Sequence, residues 1–233
     1  RFKNSKFIAE SILIQPKYSK IDESKFLFFP YSAEDRFFES GNNSNKRNPK
    51  ILVVGSVVKK DADNKEELIK EYGDINIHRN RVEFYEKHIH YSQELEYISS
   101  VYDPLKDMRE GKKNNYLSLN TAEYFSKYEF FVCPEDITGM PSQNMIEGLA
   151  AGCIYFGNLK LKYFKDYQFL PFKHYIPYDG SIENLIKQWK KYKDDINLLS
   201  YIRESIKEII IDYSVDNLSL RFSKLIKNLT SNN

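Results

Sequence analysis

The feature that most constrains the fold of this chain is the alternation of short apolar runs with stretches of helical patterning. Continuous apolar runs rich in β-branched or aromatic residues predict buried strands at Lys25–Tyr31, Lys50–Val58, Glu129–Pro134 and Cys153–Gly157. Helical patterning lies at Asn64–Tyr72, Ser118–Lys127 and Pro141–Ala151, and from Ser181 onward in three apolar stripes. Buried strands that alternate with helices form parallel βαβ units. We therefore predict an α/β fold, a doubly wound Rossmann-like parallel sheet followed by a helical C-terminal region.

Two weaker patterns complete the prediction of elements. Ser40–Pro49 is polar and rich in residues that break regular structure, which indicates a linker or an exposed loop. Asp74–Arg79 is a candidate strand, and Arg79 and Arg81 would then form an R-x-R pair on one strand face, with a plain surface charge as the equal alternative. Ser214 is predicted to cap the last helix.

Composition excludes several classes of protein. The 233 residues are 41% hydrophobic and 29% charged, as expected for a globular chain with a buried core. Thirty-five basic residues oppose 33 acidic ones, and this balance argues against a dedicated nucleic-acid binder. No apolar run approaches the roughly 20 residues that span a bilayer. Cys133 and Cys153 are the only cysteines and lie in apolar runs, so we expect inert buried thiols in a reducing cytoplasm.

The carboxyl ends of two predicted strands carry residues suited to an anionic ligand, which in an open α/β sheet binds at such ends. After the strand ILVV come Gly55 and Ser56, followed by Lys59 and Lys60. The glycine lets a ligand approach the backbone and the lysines can neutralise a phosphate. A turn glycine followed by two solvated lysines is an equally good interpretation of this segment alone.

The second strand end is richer and leads into a helix. After Pro134, a loop with Glu135 and Asp136 precedes Ser142, which is placed to cap a helix. The free backbone amides of that helix start, on Gln143 and Asn144, form an anion site suited to a diphosphate. Glu147 lies further along the helix between apolar neighbours, where its carboxylate favours a hydroxyl partner such as a ribose diol.

These residues resemble a known family. The segment GMPSQNMIEGLAAGC resembles the donor-binding signature of GT-B-fold glycosyltransferases of the family 1 and 4 type, through Gly139, Pro141, Glu147, Ala150 and Gly152. Three further segments are similar to the start of the second domain of such enzymes, to its first nucleotide-binding strand and to its terminal helices: KFLFFPYSAEDRFF, KILVVGSVVKK and HYIPYDGSIENLIKQWKKYKDDINLLSYI. The resemblance spans most of the chain from Lys25 to Leu229, and the central segment is its specific part.

The resemblance implies a role for each matching position. Glu147 would hold the ribose hydroxyls of the donor, and the amides from Ser142 through Gln143 to Asn144 would meet its diphosphate, a uridine or guanosine diphosphate. Gly139 and Met140, beside Pro141, would face the sugar.

The sequence also departs from the family pattern. The first of the family's two glutamates corresponds to Gly139, so Glu135 or Asp136 would supply the catalytic carboxylate. The usual arginine after the first strand is replaced by Ser56. Lys60 and Lys59 follow the same strand, so we rank them above Arg79 and Arg81 as the cations that face the departing phosphate.

The resemblance further predicts how the chain is organised. Residues 1–24 would be the tail of a preceding domain or a linker, and residues 25–233 a nucleotide-sugar donor-binding domain. The chain begins at Arg1, which we interpret as a piece of a longer protein with an N-terminal acceptor-binding domain. The expected function is hexosyl transfer from a nucleotide-diphosphate sugar to a glycan, lipid or protein, without a cofactor, in the cytoplasm or at a membrane surface reached through the acceptor. A non-catalytic interaction or regulatory module with this fold is the alternative.

A metal site is not predicted. His88 and His90 form an H-x-H pair, but no cysteine or acidic residue stands at a supporting spacing.

Overall fold

A parallel β-sheet forms the centre of the structure. The computed structural model describes residues 7–9, 26–42, 46–58, 79–98, 101–102, 119–135, 139–160, 163 and 167–231. In chain order the strands are β1 (Phe7–Ala9), β2 (Phe26–Phe28), β3 (Asn48–Val53), β4 (Val57–Val58), β5 (Leu95–Tyr97), β6 (Val101–Tyr102), β7 (Tyr128–Val132), β8 (Ile154–Gly157) and β9 (Ile176–Pro177).

Seven α-helices lie within the described ranges. They are α1 (Asp35–Gly41), α2 (Arg79–Lys87), α3 (Thr121–Lys127), α4 (Gln143–Ala150), α5 (Ile182–Tyr192), α6 (Ile196–Ile210) and α7 (Val215–Ser231). Short 3₁₀ turns at His88–Tyr91 and Ile211–Tyr213 follow α2 and α6. Helices α1, α3, α4 and α6 contact one another, and α2 contacts α5, which gives two separate groups of helices.

The strand order defines where the sheet opens. Five strands lie side by side in the order β5-β3-β7-β8-β9, and every neighbouring pair is parallel. Strand β5, which follows β3 in this sheet along the chain, lies on one side of β3. The later strands β7, β8 and β9 lie on the other side. In such a sheet, ligands bind outside the carboxyl ends of the two strands at which the order reverses. Here those strands are β3 and β7.

The register brings the carboxyl ends of the strands level with one another. One residue from each strand stands in a single row across the sheet: Tyr97, Val53, Val132, Phe156 and Ile176. The residues that follow this row, including Gly55 after β3 and Cys133 after β7, consequently emerge at the same edge.

The core explains why the central strands are continuous apolar runs. All four residues of β8 and the last three of β7 are buried, as expected for strands covered on both faces. Gly148 lets α4 approach this sheet closely, because a Cβ atom there would lie 2.4 Å from the ring of Phe131. Most of the buried hydrophobic residues belong to one cluster that spans the sheet and both groups of helices.

The structure confirms the predicted α/β class and most of its elements. Strands were expected and are found around β2, β7 and β8, and Ser142 caps α4 as predicted. Ser214 accepts a hydrogen bond from the backbone N–H of Asn217, as a cap of α7 does. The predicted helix at Asn64–Tyr72 lies outside the described residues.

Three predicted boundaries are wrong. The run Lys50–Val58 is not one strand, because the backbone turns at Gly55 (φ +113°) and β4 leaves the main sheet to pair with β6. The predicted loop Ser40–Pro49 is shorter, since α1 continues to Gly41 and β3 begins at Asn48. Arg79 begins helix α2 instead of ending a strand, and residues 74–78 lie outside the described ranges.

Within the described ranges, no helix combines the length and the apolar composition needed to cross a membrane.

Candidate functional site

The loops after β3 and β7 meet at the point where the strand order reverses. Gly55 follows β3, and a Cβ atom on it would lie 3.4 Å from the Cys133 sulfur and 3.5 Å from Nε of Arg81. Its backbone is also in the left-handed region that disfavours side chains. The turn therefore favours glycine here, while the neighbouring groups lie at ordinary van der Waals distance from the position that a Cβ atom would take.

Arg81 joins the two strand ends. From α2, its Nε donates to the Pro134 carbonyl at 3.0 Å and its Nη1 donates to the Ser56 carbonyl at 3.3 Å. A guanidinium carries five N–H donors in one plane, so these bonds leave further donors for a ligand. The side chain is half-buried. It places a permanent positive charge at the carboxyl edge of the sheet.

Cys133 lies at the centre of this group. Its sulfur accepts a hydrogen bond from the Ser142 hydroxyl at 3.3 Å and contacts the Asn144 amide at 4.0 Å. The residue is 1% exposed, and burial raises the pKa of the Cys133 thiol above its ordinary value. The thiol is therefore neutral and is part of the packed interior. Both cysteines are buried, as predicted from the sequence.

The start of α4 faces the same group. Ser142 adopts an extended conformation, and its hydroxyl accepts a hydrogen bond from the Met145 backbone N–H at 3.3 Å. The first turn of a helix leaves backbone N–H groups without intrahelical partners, and the helix dipole adds partial positive charge there. Because Ser142 also contacts Cys133, this helix start lies against the end of β7.

Glu147 and Gln143 lie on a different face of α4. The Gln143 amide donates to the Glu147 carboxylate at 3.0 Å and to the Ser32 carbonyl at 2.7 Å. Burial raises the pKa of Glu147, and the bond from Gln143 partly offsets that shift. A carboxylate has about four acceptor positions, so one bond leaves capacity for hydroxyl donors.

The loop before α4 is shaped by Gly139. Its φ of +65° lies in the left-handed region, and a Cβ atom would lie 2.7 Å from Cγ of Lys160. The Gly139 carbonyl accepts a hydrogen bond from the Lys160 backbone N–H at 3.1 Å. Met140 is half-buried and Pro141 is buried. The aliphatic part of the Lys160 side chain thus packs over the loop at Gly139.

Glu135 occupies a buried polar cluster. Its carboxylate accepts hydrogen bonds from the Tyr155 hydroxyl (2.5 Å), the Asn158 backbone N–H (2.7 Å) and the Tyr178 hydroxyl (3.1 Å). The residue is 3% exposed, and burial raises the pKa of its carboxyl group. The carboxylate is turned into the protein and joins the ends of β7, β8 and β9.

The structure brings together part of the predicted site. One group surrounds Cys133: Gly55, Ser56, Arg81, Ser142 and Asn144. The predicted R-x-R strand pair is wrong, because Arg79 and Arg81 lie two residues apart on a helix and point in different directions. Arg79 is exposed. Asp136, Lys59 and Lys60 lie outside the described residues.

Several neighbours of the site were not singled out from the sequence. Lys160 covers Gly139, and Asn80 donates to the Glu135 carbonyl at 3.1 Å. Lys160 could have been found from the sequence, because it closely follows the carboxyl end of β8, where ligands bind in such sheets. The partners Tyr155 and Tyr178 lie 20 and 43 residues from Glu135, and no local pattern connects them.

His88, the first residue of the H-x-H pair, contacts the backbone of the preceding helix α2. His88 Nδ1 lies 2.6 Å from the Tyr85 carbonyl. Within the described part of the chain, no group of three metal-ligating side chains is assembled.

Comparisons with known proteins give the fold a context. No protein-family model matches the sequence, and a search of curated proteins found no match. Among solved structures, a glycosyltransferase from Rickettsia africae matches all of this chain and 65% of its own, with a TM-score of 0.59 and 14% identity. Sucrose-phosphate synthase from Thermosynechococcus elongatus matches 90% of this chain and 54% of its own, with a TM-score of 0.50 and 11% identity.

Both similarities cover less than two thirds of the solved proteins, so this chain corresponds to a part of them. At these identities they concern the fold. Together with the parallel sheet and its strand order, they show that this chain has the Rossmann-like α/β fold found in parts of these two proteins.

Proposed function

We propose that this chain is the donor-binding part of a glycosyltransferase that uses a nucleotide-diphosphate sugar. The observation that carries the proposal is the convergence of Gly55, Arg81 and the capped start of α4 around Cys133. This group lies where the strand order reverses, the usual ligand position in such sheets. The names of the two similar structures, a glycosyltransferase and a sucrose-phosphate synthase, support the same function.

The diphosphate would bind between Arg81 and the start of α4. Gly55 leaves room beside the backbone, while the helix amides at Gln143 and Asn144 provide donors. Arg81 is already oriented by two carbonyl oxygens and can add charge-assisted bonds to phosphate oxygens. Lys59 and Lys60 follow β4 in the chain and would add further charge.

The ribose would bind at Glu147. Gln143 fixes one carboxylate oxygen, which orients the group and leaves acceptor positions for the two ribose hydroxyls. Gly139 and Met140, with Pro141, form the loop that would face the sugar. Lys160, packed across Gly139, places a second cation beside that loop.

The chemical contribution of this part would be stabilisation of the leaving group. The bond between the anomeric carbon and the diphosphate oxygen breaks, and its electron pair remains on that oxygen. An acceptor hydroxyl forms the new bond and loses its proton. Positive groups fixed in advance around the diphosphate stabilise the charge that develops there. The acceptor, a glycan, lipid or protein, would be held by a preceding domain of the same parent chain.

The three catalytic assignments made from the sequence have different support. Lys60 remains proposed as a cation for the leaving phosphate, and Asp136 as the carboxylate near the sugar. For Glu135 the hydrogen bonds from Tyr155, Tyr178 and Asn158 favour a positioning role, because its carboxylate is occupied and buried.

Calorimetric titration of the chain with UDP, GDP and ADP tests the proposal. We expect one of them to bind, and we expect Arg81→Gln to weaken that binding by about 1.5–3 kcal/mol through loss of a charge-assisted contact. Arg221→Gln, at an exposed arginine of α7, is the control and should bind like the parent. Thermal unfolding of each variant verifies the fold. If none of the three nucleotides binds at about millimolar concentration (about −4 kcal/mol), the proposal is wrong.

The alternative is a non-catalytic module that binds the nucleotide without transferring sugar. It is favoured by the buried position of Glu135 and by glycine at position 139. Sugar transfer by the full-length parent protein distinguishes the two functions. Nucleotide binding that persists without transfer to any acceptor would support the module.

A further inference from the structure

A cavity lies at the edge of the sheet opposite to the candidate donor site. It has a volume of about 730 Å³, within the range of small-molecule sites. Residues at the starts of β7 and β8 line it, together with the end of α1, the end of α4 and one side of α6. Since the donor site uses the carboxyl ends of the strands, this cavity at their amino ends is separate from it.

The inner wall of the cavity is apolar. It includes Leu149 from α4, Ile206 and Ile210 from α6, and Phe38 from α1. Leu149, Ile206 and Ile210 are each at most 5% exposed and belong to the hydrophobic core. Gly41 allows α1 to approach the end of α4, because a Cβ atom there would lie 3.1 Å from the Ala151 backbone. An apolar ligand body would therefore lie directly against the core.

The rim of the cavity is positively charged. Among the described lining residues, four are cationic and one is acidic: Lys46, Arg47, Arg203, Lys207 and Glu129. Clustered positive charge beside an apolar wall complements a ligand that is anionic at one end and apolar at the other.

The two arginines are held in place by the protein. Arg47 donates to the Ala151 carbonyl at 2.7 Å, at the carboxyl end of α4. Arg203 pairs with Glu129 at 2.5 Å. These contacts fix the walls and leave the two lysines for a ligand.

The two lysines lie on the accessible side. Lys46 is exposed. Lys207 pairs with Glu204, but both side chains are about two-thirds exposed (70% and 66%), and such surface pairs are weak. A phosphate could therefore replace Glu204 as the partner of Lys207.

We propose that this cavity binds a single-chain lipid phosphate, with the alkyl chain against Leu149 and Ile206 and the phosphate at Lys46 and Lys207. A phosphate monoester carries up to two negative charges and three acceptor oxygens, which matches two lysines better than a carboxylate does. The inference does not depend on the nucleotide site.

A tryptophan beside this cavity can report ligand binding by its fluorescence. Trp189 is the only tryptophan, and its indole N–H donates to the carbonyl of Pro49, a lining residue, at 2.9 Å. Titration with dodecyl phosphate below its micelle concentration should therefore change the tryptophan fluorescence, and calorimetry should give the same affinity. Dodecyl maltoside tests the alkyl chain with a neutral head, and inorganic phosphate tests the anion alone.

We expect dodecyl phosphate to bind at least about tenfold more tightly than either comparison ligand. The double variant Lys46→Gln with Lys207→Gln should lose about tenfold in affinity for dodecyl phosphate and less than about twofold for dodecyl maltoside. The matched control replaces two exposed lysines elsewhere, Lys187→Gln with Lys224→Gln, and should bind like the parent. All of these changes are at exposed side chains, so the fold is retained.

Three results would overturn the proposal. One is the absence of dodecyl phosphate binding. Another is equal binding of dodecyl maltoside or of inorganic phosphate, which would indicate a purely apolar pocket or a simple anion site. The third is an equal loss of affinity in the control variant, which would indicate attraction by net charge alone.

Discussion

Glu135 shows how a single buried carboxylate can organise the edge of a sheet. Its side chain accepts bonds from Tyr155 within β8 and from Tyr178 just after β9, while its backbone carbonyl accepts one from Asn80 of α2. Four segments are thereby joined beside the candidate donor site. We infer that Glu135 positions this edge, since its carboxylate is turned away from solvent.

Substitution of Glu135 should separate the hydrogen bonds from the charge. In Glu135→Gln, the amide oxygen can accept from Tyr155 and Asn158 while the NH₂ group donates to the Tyr178 oxygen, so we expect a loss of less than about 1.5 kcal/mol. Glu135→Leu leaves three donors without an acceptor and should cost about 3 kcal/mol or more. Urea unfolding of both variants measures the difference. Equal losses would contradict the proposed network.

Ionisation of Glu135 should make the free energy of unfolding depend on pH. Burial raises the pKa of Glu135 in the folded state, whereas the unfolded chain has the ordinary value. In the folded state, Glu135 therefore keeps its proton to a higher pH than in the unfolded chain. The contribution of Glu135 to the free energy of unfolding is largest below its ordinary pKa. It is lost as the pH rises through the raised pKa of the folded state. Glu135→Gln should lack this loss when its urea midpoints are compared with those of the parent over the same pH range.

Glu147 gives a further prediction at the scale of single residues. If its ionised carboxylate accepts the ribose hydroxyls, Glu147→Gln should weaken nucleotide binding by about 1.5–3 kcal/mol. Burial raises the pKa of Glu147, so the nucleotide affinity of the parent should fall more steeply than that of the variant as the pH drops through that raised value, since protonation of the diphosphate itself affects both proteins. Calorimetry at several pH values measures both effects. Equal affinity and equal pH dependence of the two proteins would contradict the ribose role.

At the scale of elements, α4 is positioned by close packing as well as by its cap. Ser142 fixes the start of the helix, and Gly148 sets its distance from the sheet, where a Cβ atom would lie 2.4 Å from Phe131 and 2.8 Å from Phe125. Both rings are fully buried, so neither can move away easily. The helix start is therefore held against β7 by contacts along its length.

Gly148→Ala tests this packing because two effects have opposite signs. Alanine favours a helix over glycine by about 0.8–1 kcal/mol, but crowding of a filled core typically costs about 1–3 kcal/mol. We expect a net loss of stability in urea unfolding. Ser200→Ala, at an exposed position of α6, is the control and should change stability by less than about 0.5 kcal/mol. A stabilised Gly148→Ala variant would contradict the close contact.

Elements with a local sequence signal could be predicted, and elements that depend on distant contacts could not. Apolar runs such as those of β7 and β8 and the cap at Ser142 are local signals, and they gave the correct elements. The break after Val53 depends on a left-handed backbone at Gly55 and on the pairing of β4 with β6, which no local pattern specifies. The segment before Arg81 is short, and a short segment does not distinguish the period of a strand from that of a helix.

At the scale of the whole molecule, the site depends on contacts between distant parts of the sequence. The strand ends at Gly55 and Cys133 were predicted individually, but their closeness follows from the strand order. Arg81 could not be ranked correctly against the lysines, because its two acceptors lie 25 and 53 residues away. The buried contacts of Glu135 likewise depend on tyrosines from later parts of the chain, Tyr155 within β8 and Tyr178 after β9.

The start of α7 is joined to the segment between β2 and α1. The Ala33 N–H donates to the Tyr213 carbonyl at 2.8 Å, and the Val215 N–H donates to the Ala33 carbonyl at 3.1 Å. Phe222 of α7 lies against Phe29, with ring centroids 5.6 Å apart. Helix α7 is mostly exposed, but these contacts fix its first two turns beside the segment that follows β2.

Two leucines of α7 test whether this closure stabilises the molecule. Leu218 is 2% exposed and Leu220 is 61% exposed, although they are two residues apart on one helix. Leu218→Ala should lower the free energy of unfolding by about 2–4 kcal/mol, because it removes buried methyl groups and leaves a cavity. Leu220→Ala should change it by less than about 0.5 kcal/mol, since alanine also suits an exposed helix. Urea unfolding monitored by circular dichroism gives both values. Small and equal effects would mean that α7 is not part of the cooperative fold, and a large effect at Leu220 would mean that its exposed face is covered in solution.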